Sequence, residues 1–185
     1  MDLRVYKTRM LLKETLVSLI EEKPLRKITI REISERAKIN RGTFYLHYLD
    51  IYDMVEKLEL EVIDKVKGIV DNENPLALNY LILPVLGKII EYFYEEQQFI
   101  RALISPNGNP YFLTDIQNIM IEHTLKIYKQ NFKKHEDNTV RIAVTFIVSG
   151  GVSVFSEWFK SGCKTPIQEV IKTCEEIISH GINRF

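Results

Sequence analysis

Between Asn40 and Tyr48 the chain reads Asn-Arg-Gly-Thr-Phe-Tyr-Leu-His-Tyr, with hydrogen-bonding, small and apolar side chains interleaved. Arg41 can donate two parallel hydrogen bonds to guanine O6 and N7, and the Thr43 methyl or Leu46 can touch a thymine methyl. Gly42 lets a backbone come close, while Tyr45 and His47 can reach phosphate oxygens. Phe44 and Tyr48 lie four apart and suit packing on the opposite face. Upstream, Thr29 and Arg31 place a hydroxyl and a guanidinium at the start of another short segment, where both can meet phosphate. The chemistry on offer is recognition of a grooved polyanion.

Those side chains need elements to hold them. The spacing predicts a first helix over Leu3–Glu22, with Leu12, Leu16, Leu19 and Ile20 on one face and Leu11 and Thr15 beside them. Lys23-Pro24 ends it, because a residue before proline is pushed out of the helical region. Thr29-Ile30-Arg31-Glu32 is a capping box that starts a second helix, whose Ile33 and Ala37 face inward. After the link Lys38-Ile39-Asn40, Asn40 caps a third helix over Arg41–Tyr48. Asp50 caps a fourth, with Met54, Leu58, Val62 and Val66 as its apolar positions. Two short helices joined by a tight turn behind a longer helix meet the spacing of a helix-turn-helix, whose second short helix lies in the major groove.

The rest also has helical periodicity. Asp71 to Pro75 mark a joint, followed by a helix from about Leu76 or Pro84 to Glu96 and a short one through Gln97 to Ile104. Ser105-Pro106-Asn107-Gly108-Asn109-Pro110 is the clearest loop. A long helix is expected over Phe112–Phe132, then one over Asn138–Ser161 stopped by Gly162. The last starts at Thr165-Pro166, with Thr165 as cap and Gln168 completing a second capping box, and ends near Gly181. The expectation is an all-α protein of about nine helices. Residues 1–50, with the first turn of the fourth helix, form a helix-turn-helix domain, and 51–185 form a helical dimerisation and effector domain.

Apolar residues make up 45% of the 185 and charged residues 27%, the balance of a soluble globular protein. The zero net charge is divided: residues 1–50 carry eleven Lys and Arg against seven Asp and Glu, a net +4, and the remainder carries −4. A basic head on an acidic body suits a polyanion partner. The longest uncharged stretch, Ile142 to Ser156, carries Thr145, Ser149 and Ser153 and is shorter than a bilayer span. Charge at Asp2, Arg4, Lys7 and Arg9 leaves no room for a signal peptide, so a cytoplasmic address is expected. Cys163 and Cys174 are then packed or solvated thiols ahead of a redox pair.

No phosphate-binding glycine loop, nucleophile elbow, HExxH or paired-cysteine motif occurs, so neither an enzyme nor a cofactor or metal is expected. His123, His135 and His180 lack ligand spacing and read as surface histidines. The aromatic residues from Tyr92 to Phe99 read as core ahead of a ligand cavity. Glu95-Glu96 and Lys133-Lys134 read as solvated helix ends.

The runs Ile28-Thr29-Ile30-Arg31-Glu32-Ile33, Ala37-Lys38-Ile39 and Gly42-Thr43-Phe44-Tyr45-Leu46-His47-Tyr48 resemble the N-terminal domain of TetR-type regulators over about residues 5–65. The resemblance implies a homodimer on a near-palindromic double-stranded operator, joined through the last two helices (about 138–161 and 166–180). It also implies an effector pocket in the C-terminal domain, for a small molecule or protein that the sequence does not identify. DNA contacts would come from Thr29, Arg31, Lys38, Arg41, Gly42, Thr43, Tyr45, Leu46 and His47. Gly150-Gly151 followed by Trp158 resembles a subgroup with a glycine-rich penultimate helix, where close helix approach at a dimer interface would offset roughly 1 kcal/mol per glycine.

Two departures stand out. Lys38 occupies the turn position where glycine is usual, which asks for a left-handed conformation at roughly 1 kcal/mol, with a nearby phosphate as compensation. Ile51 stands where the fourth helix usually opens with a phosphate-gripping lysine. The functional expectation is a dimeric repressor released by an effector. The alternative is a co-activator of the same fold that works mainly through a protein partner.

Overall fold

The computed structural model describes residues 3–71, 78–132 and 138–182. Residues 72–75 of the expected joint, Lys133, Lys134 and His135 lie outside them, as does the side chain of His180. Among the described residues there are nine α-helices, one 3₁₀ turn and no strand. The helices are α1 (Leu3–Glu22), α2 (Ile30–Arg36), α3 (Arg41–Tyr45), α4 (Ile51–Asp71), α5 (Leu78–Glu95), α6 (Gln97–Ile104), α7 (Phe112–Phe132), α8 (Asn138–Lys160) and α9 (Ile167–Ile182). The all-α expectation holds. By packing, the chain forms two units: residues 1–64 with 98–112, and residues 65–97 with 113–185. The packing boundary falls within α4, after residue 64.

In the first unit, the face of α1 read from the sequence is the buried one: Leu12, Leu16, Leu19 and Ile20 are closed to solvent, while Leu11 is exposed. Thr15 turns its hydroxyl back to the Leu11 carbonyl at 2.7 Å, which lets a polar side chain sit in this wall. After Pro24 the chain makes a 3₁₀ turn at Leu25–Lys27 that the sequence patterning missed. Ile33 of α2, Phe44 of α3 and Met54 and Leu58 of α4, with Ala37 and Tyr48 just beyond α2 and α3, are buried in the same unit. Phe99, Ile100 and Leu103 of α6 and Phe112 complete the same core.

In the second unit α5 packs along α9, where a methyl added at Gly87 would meet Ile171 at 4.0 Å. Phe93 is buried here, and Tyr94 is half-exposed beside the Trp158 ring at 5.9 Å. The α8 residues Val144, Val148, Phe155, Trp158 and Phe159 are buried. The other side of α8 is open: Ile142, Phe146 and Val154 are exposed, and only 22% of its most apolar window is buried. By length and composition alone α8 could cross a membrane, a match that the core helix of a soluble protein also makes. Gly162 stops α8 as expected. It and Cys163 both adopt positive φ (83° and 56°), and the Cys163 amide donates back to the Trp158 carbonyl at 3.0 Å.

Two expectations here are corrected. The second capping box does not start α9: the helix begins at Ile167 and the Glu169 and Val170 amides donate to the Pro166 carbonyl, so the cap position falls on proline. The Thr165 carbonyl instead accepts from the Trp158 indole N–H at 2.8 Å. His123 is no surface histidine. Its ring is mostly buried and its Nε2 lies 2.6 Å from the Asp71 carboxylate at the end of α4, a partner 52 positions away that local spacing could not reveal. Both cysteines are free thiols, and burial pushes the Cys174 thiol above its usual range.

Candidate nucleic-acid interface

The start of α2 is built as the sequence predicts. The Glu32 amide donates to the Thr29 hydroxyl oxygen at 3.3 Å, and the Thr29 amide and hydroxyl donate to the Glu32 carboxylate at 3.1 and 2.9 Å. Lys23 also pairs with Glu32, and together with Thr29 it holds that carboxyl below its usual range. On the far side of α2, the Arg36 guanidinium grips the Glu22 carboxylate with two bonds at 2.5 and 2.8 Å. The α1–α2 corner is thus pinned by charge at both ends of α2, leaving Thr29 and Arg31 exposed. Arg31 lies along its own helix, bonded to Glu35 at 2.7 Å, an exposed pair that a phosphate can displace.

The turn between α2 and α3 rests on Lys38, whose φ is 53°. The left-handed conformation expected there is present. Lys38 N–H donates to the Glu35 carbonyl and Ile39 N–H to the Ser34 carbonyl, at 3.2 and 3.0 Å, closing the end of α2. The Lys38 side chain is exposed. Asn40 then caps α3 through its side-chain oxygen, which accepts from the Gly42 amide at 2.8 Å.

α3 is shorter than expected. It closes at Tyr45, and the amides of His47 and Tyr48 both turn onto the Phe44 carbonyl, at 2.9 and 3.0 Å. The two faces are nevertheless those read from sequence. Phe44 and Tyr48 are buried with ring centres 5.7 Å apart, while Arg41, Gly42 and Tyr45 are exposed, Leu46 is 81% exposed, and Thr43 and His47 are half-buried. A leucine at that exposure contributes nothing to the core, and it is free to meet an apolar groove feature such as a thymine methyl.

Arg9 of α1 was not singled out by the sequence reading. It donates to the Tyr48 hydroxyl at 3.4 Å and pairs with Glu61 of α4, tying α1 and α4 to the segment that follows α3. Burial, then the nearby Arg9 charge, holds the His47 imidazole below its usual range. Lys57 was also missed, although its i,i+4 spacing from Asp53 is a readable signal. It bonds Asp53 at 2.9 Å and reaches toward the His47 carbonyl at 3.4 Å.

The opening of α4 differs from a phosphate seat. Ile51 is 5% exposed and belongs to the core. The Asp53 amide donates to Asp50 at 2.8 Å, the cap expected from sequence, and the Leu49 amide donates to Asp53, also at 2.8 Å. Carboxylates of the chain itself occupy these donors, and the Lys57 bond followed by the Leu49 amide keeps the Asp53 carboxyl below its usual range.

A family model described as the C-terminal region of transcriptional regulators matches residues 82–180, and a model of the tetR family of bacterial regulatory proteins matches residues 14–58. The chain belongs to the TetR family. As a TetR-family protein it is a DNA-binding transcriptional regulator, and the tetR-family match spans α2, the turn at Lys38 and α3. A Bacillus subtilis relative, the HTH-type transcriptional regulator YxbF, is 41% identical over 44 residues, which is 24% of this chain and 12% of the relative's length. The fold is shared with the fatty acid degradation regulator FadR of Bacillus halodurans (14% identity, 94% and 95% of the two chains, TM-score 0.68). It is shared as well with FadR of Bacillus subtilis in complex with stearoyl-CoA (16% identity, 93% and 98%, TM-score 0.65).

Proposed function

We propose that this TetR-family chain is a dimeric, sequence-specific repressor that binds a near-palindromic operator and is released by an effector. The observation that carries the reading is the exposed set on α3: Arg41, Gly42, Tyr45 and Leu46 stand free of the core while Phe44 and Tyr48 anchor the helix from behind. Arg41 reads guanine, Thr43 and Leu46 read thymine methyls, and Tyr45, His47, Thr29, Arg31 and Lys38 hold phosphates.

The open face of α8 supports dimerisation. Ile142, Phe146 and Val154 are exposed without a charged residue among them, and an added Cβ at Gly150 would meet nothing within 4 Å in the protomer. Glycine at an open helical position costs about 1 kcal/mol relative to alanine, a cost that close approach of a second copy offsets. Two heads carried by one dimer would read two half-sites about one helical turn apart.

Selection of bound DNA from a random pool tests the reading. A palindromic consensus lost on replacing Arg41 and Tyr45 with alanine is expected, and no enrichment would overturn it. The self-capped start of α4 favours one second reading, a co-activator with weak DNA binding that works through a protein partner. Regulation that survives the Arg41 and Tyr45 replacements would select that reading.

A further inference from the structure

Pro24 leaves a gap in the backbone bonding of the DNA-binding unit. In a continuing helix the amide of residue 24 would donate to the Ile20 carbonyl, and proline has no N–H to give. Ile20 is fully buried, so its carbonyl cannot turn to bulk water instead. A buried acceptor left in this way needs another donor. The donor comes from 87 residues away: Asn107 Nδ2 donates to the Ile20 carbonyl at 3.0 Å. The backbone carbonyl of Asn107 in turn accepts from the Leu25 amide, the first N–H past the proline, also at 3.0 Å. One residue thus supplies both the donor and the acceptor that the interrupted helix lacks.

The loop is shaped to bring it there. A Cβ at Gly108 would fall 2.2 Å from the Leu103 carbonyl oxygen and 2.4 Å from that of Ala102, so only glycine allows the chain to fold back this tightly on α6. Beyond it, Asn109 donates to both carboxylate oxygens of Glu59 on α4, at 2.9 and 3.1 Å. The two asparagines flanking Gly108 therefore hold different helices of the same unit.

From Asn107 the bonding runs on toward the phosphate-facing residues. The Lys27 amide donates to the Pro24 carbonyl at 2.8 Å and the Ile28 amide to the Leu25 carbonyl at 3.0 Å, and Thr29 follows at once with its capping box. We propose that Asn107 is a positioning residue for DNA binding, which fixes the α1–α2 corner and through it the Thr29 and Arg31 side chains. The inference rests on the reading of Thr29 and Arg31 as phosphate contacts.

The test is titration of the full-length protein with a random-sequence DNA duplex over a range of salt, with thermal melts of each variant alongside. Phosphate contacts are independent of base sequence, so no operator is needed. Asn107→Ala is expected to weaken binding about tenfold at low salt and to lower the salt slope by about one per bound protomer. Asn109→Ala, which removes the two bonds to Glu59 but leaves the corner bonded, is expected to keep the wild-type slope. A wild-type slope in Asn107→Ala, or affinity lost only in proportion to unfolded protein, would overturn the inference. Should Asn107→Ala fail to fold, Pro24→Ala in that background supplies an amide that can reach the Ile20 carbonyl. A slope regained in the double variant supports the role, and a folded double variant with a slope below wild type overturns it. Wild-type protein that binds no duplex would remove the phosphate reading itself, a result distinct from every variant outcome.

Discussion

Replacing Lys38 separates two effects that the native residue combines. Its φ of 53° places a non-glycine side chain in the left-handed region, at a cost of about 1–2 kcal/mol. Glycine removes that cost but gains about 0.5–1 kcal/mol of unfolded-chain entropy to lose on folding. The net expectation for Lys38→Gly is a stabilisation of about 0.5–1 kcal/mol, or roughly 1–4 °C in melting temperature for a chain of this size. Lys38→Ala keeps the strained backbone and loses only an exposed side chain beyond Cβ, so its melting temperature should stay near wild type. Both variants should lower the salt slope of DNA binding by about one, since each removes one cation from the phosphate-facing surface. Circular dichroism melts and salt-dependent anisotropy titrations measure the two quantities independently. If Lys38→Gly melts below wild type, or if both variants melt alike, the backbone argument fails. If the slope is unchanged in both, Lys38 does not meet phosphate.

Further outcomes follow from the same geometry. His47 has a depressed pKa in the free protein, and a phosphate beside it would raise that value, so binding takes up a proton. The added affinity is complete below the free-state pKa and disappears as pH rises through the bound-state pKa. DNA titrations between about pH 7.5 and 5.5 should tighten by about tenfold per unit of pKa difference, and His47→Gln should abolish the trend. Thr29→Val removes the cap of α2 and should cost about 1 kcal/mol by denaturant unfolding. Phe146→Glu, at a site 77% exposed in the protomer, should yield folded monomers in sedimentation experiments and weaken operator binding. Gly150→Ala, whose added Cβ would meet nothing within 4 Å in the protomer, should weaken the dimer without destabilising the protomer.

What could be read from sequence was what neighbouring residues decide. Thr29 with Glu32, Asn40 with Gly42 and Asp50 with Asp53 are bonds across two or three positions, and each appears where expected. The buried stripe of α1 and the inward pair Phe44 and Tyr48 follow from helical spacing alone. Misreadings came where a longer-range or finer geometric term decided the outcome. α3 ends at Tyr45, with the His47 and Tyr48 amides sharing the Phe44 carbonyl, a change of backbone bonding that no side-chain pattern announces. Thr165 lost its capping role because the helix begins after Pro166, while its carbonyl serves the indole of Trp158. Arg9 with Glu61, His123 with Asp71 and Asn107 with Ile20 join residues 52 to 87 positions apart. Such pairs form only once the helices have packed, so the sequence offers the groups without naming their partners.

Because α6 and its loop belong to the same core as α1–α3, the DNA-binding unit is not contiguous along the chain. During synthesis its N-terminal helices emerge early but lack Phe99, Ile100, Leu103 and Phe112, four side chains almost closed to solvent in the finished core. A nascent chain cannot complete this unit until Phe112 has left the ribosome. By then α5, which belongs to the other unit, is already outside and free to fold. Recombination meets the same constraint. A graft of residues 1–64 onto another body would carry the reading face without the segment that completes its core, so a transferable module must take residues 98–112 with it.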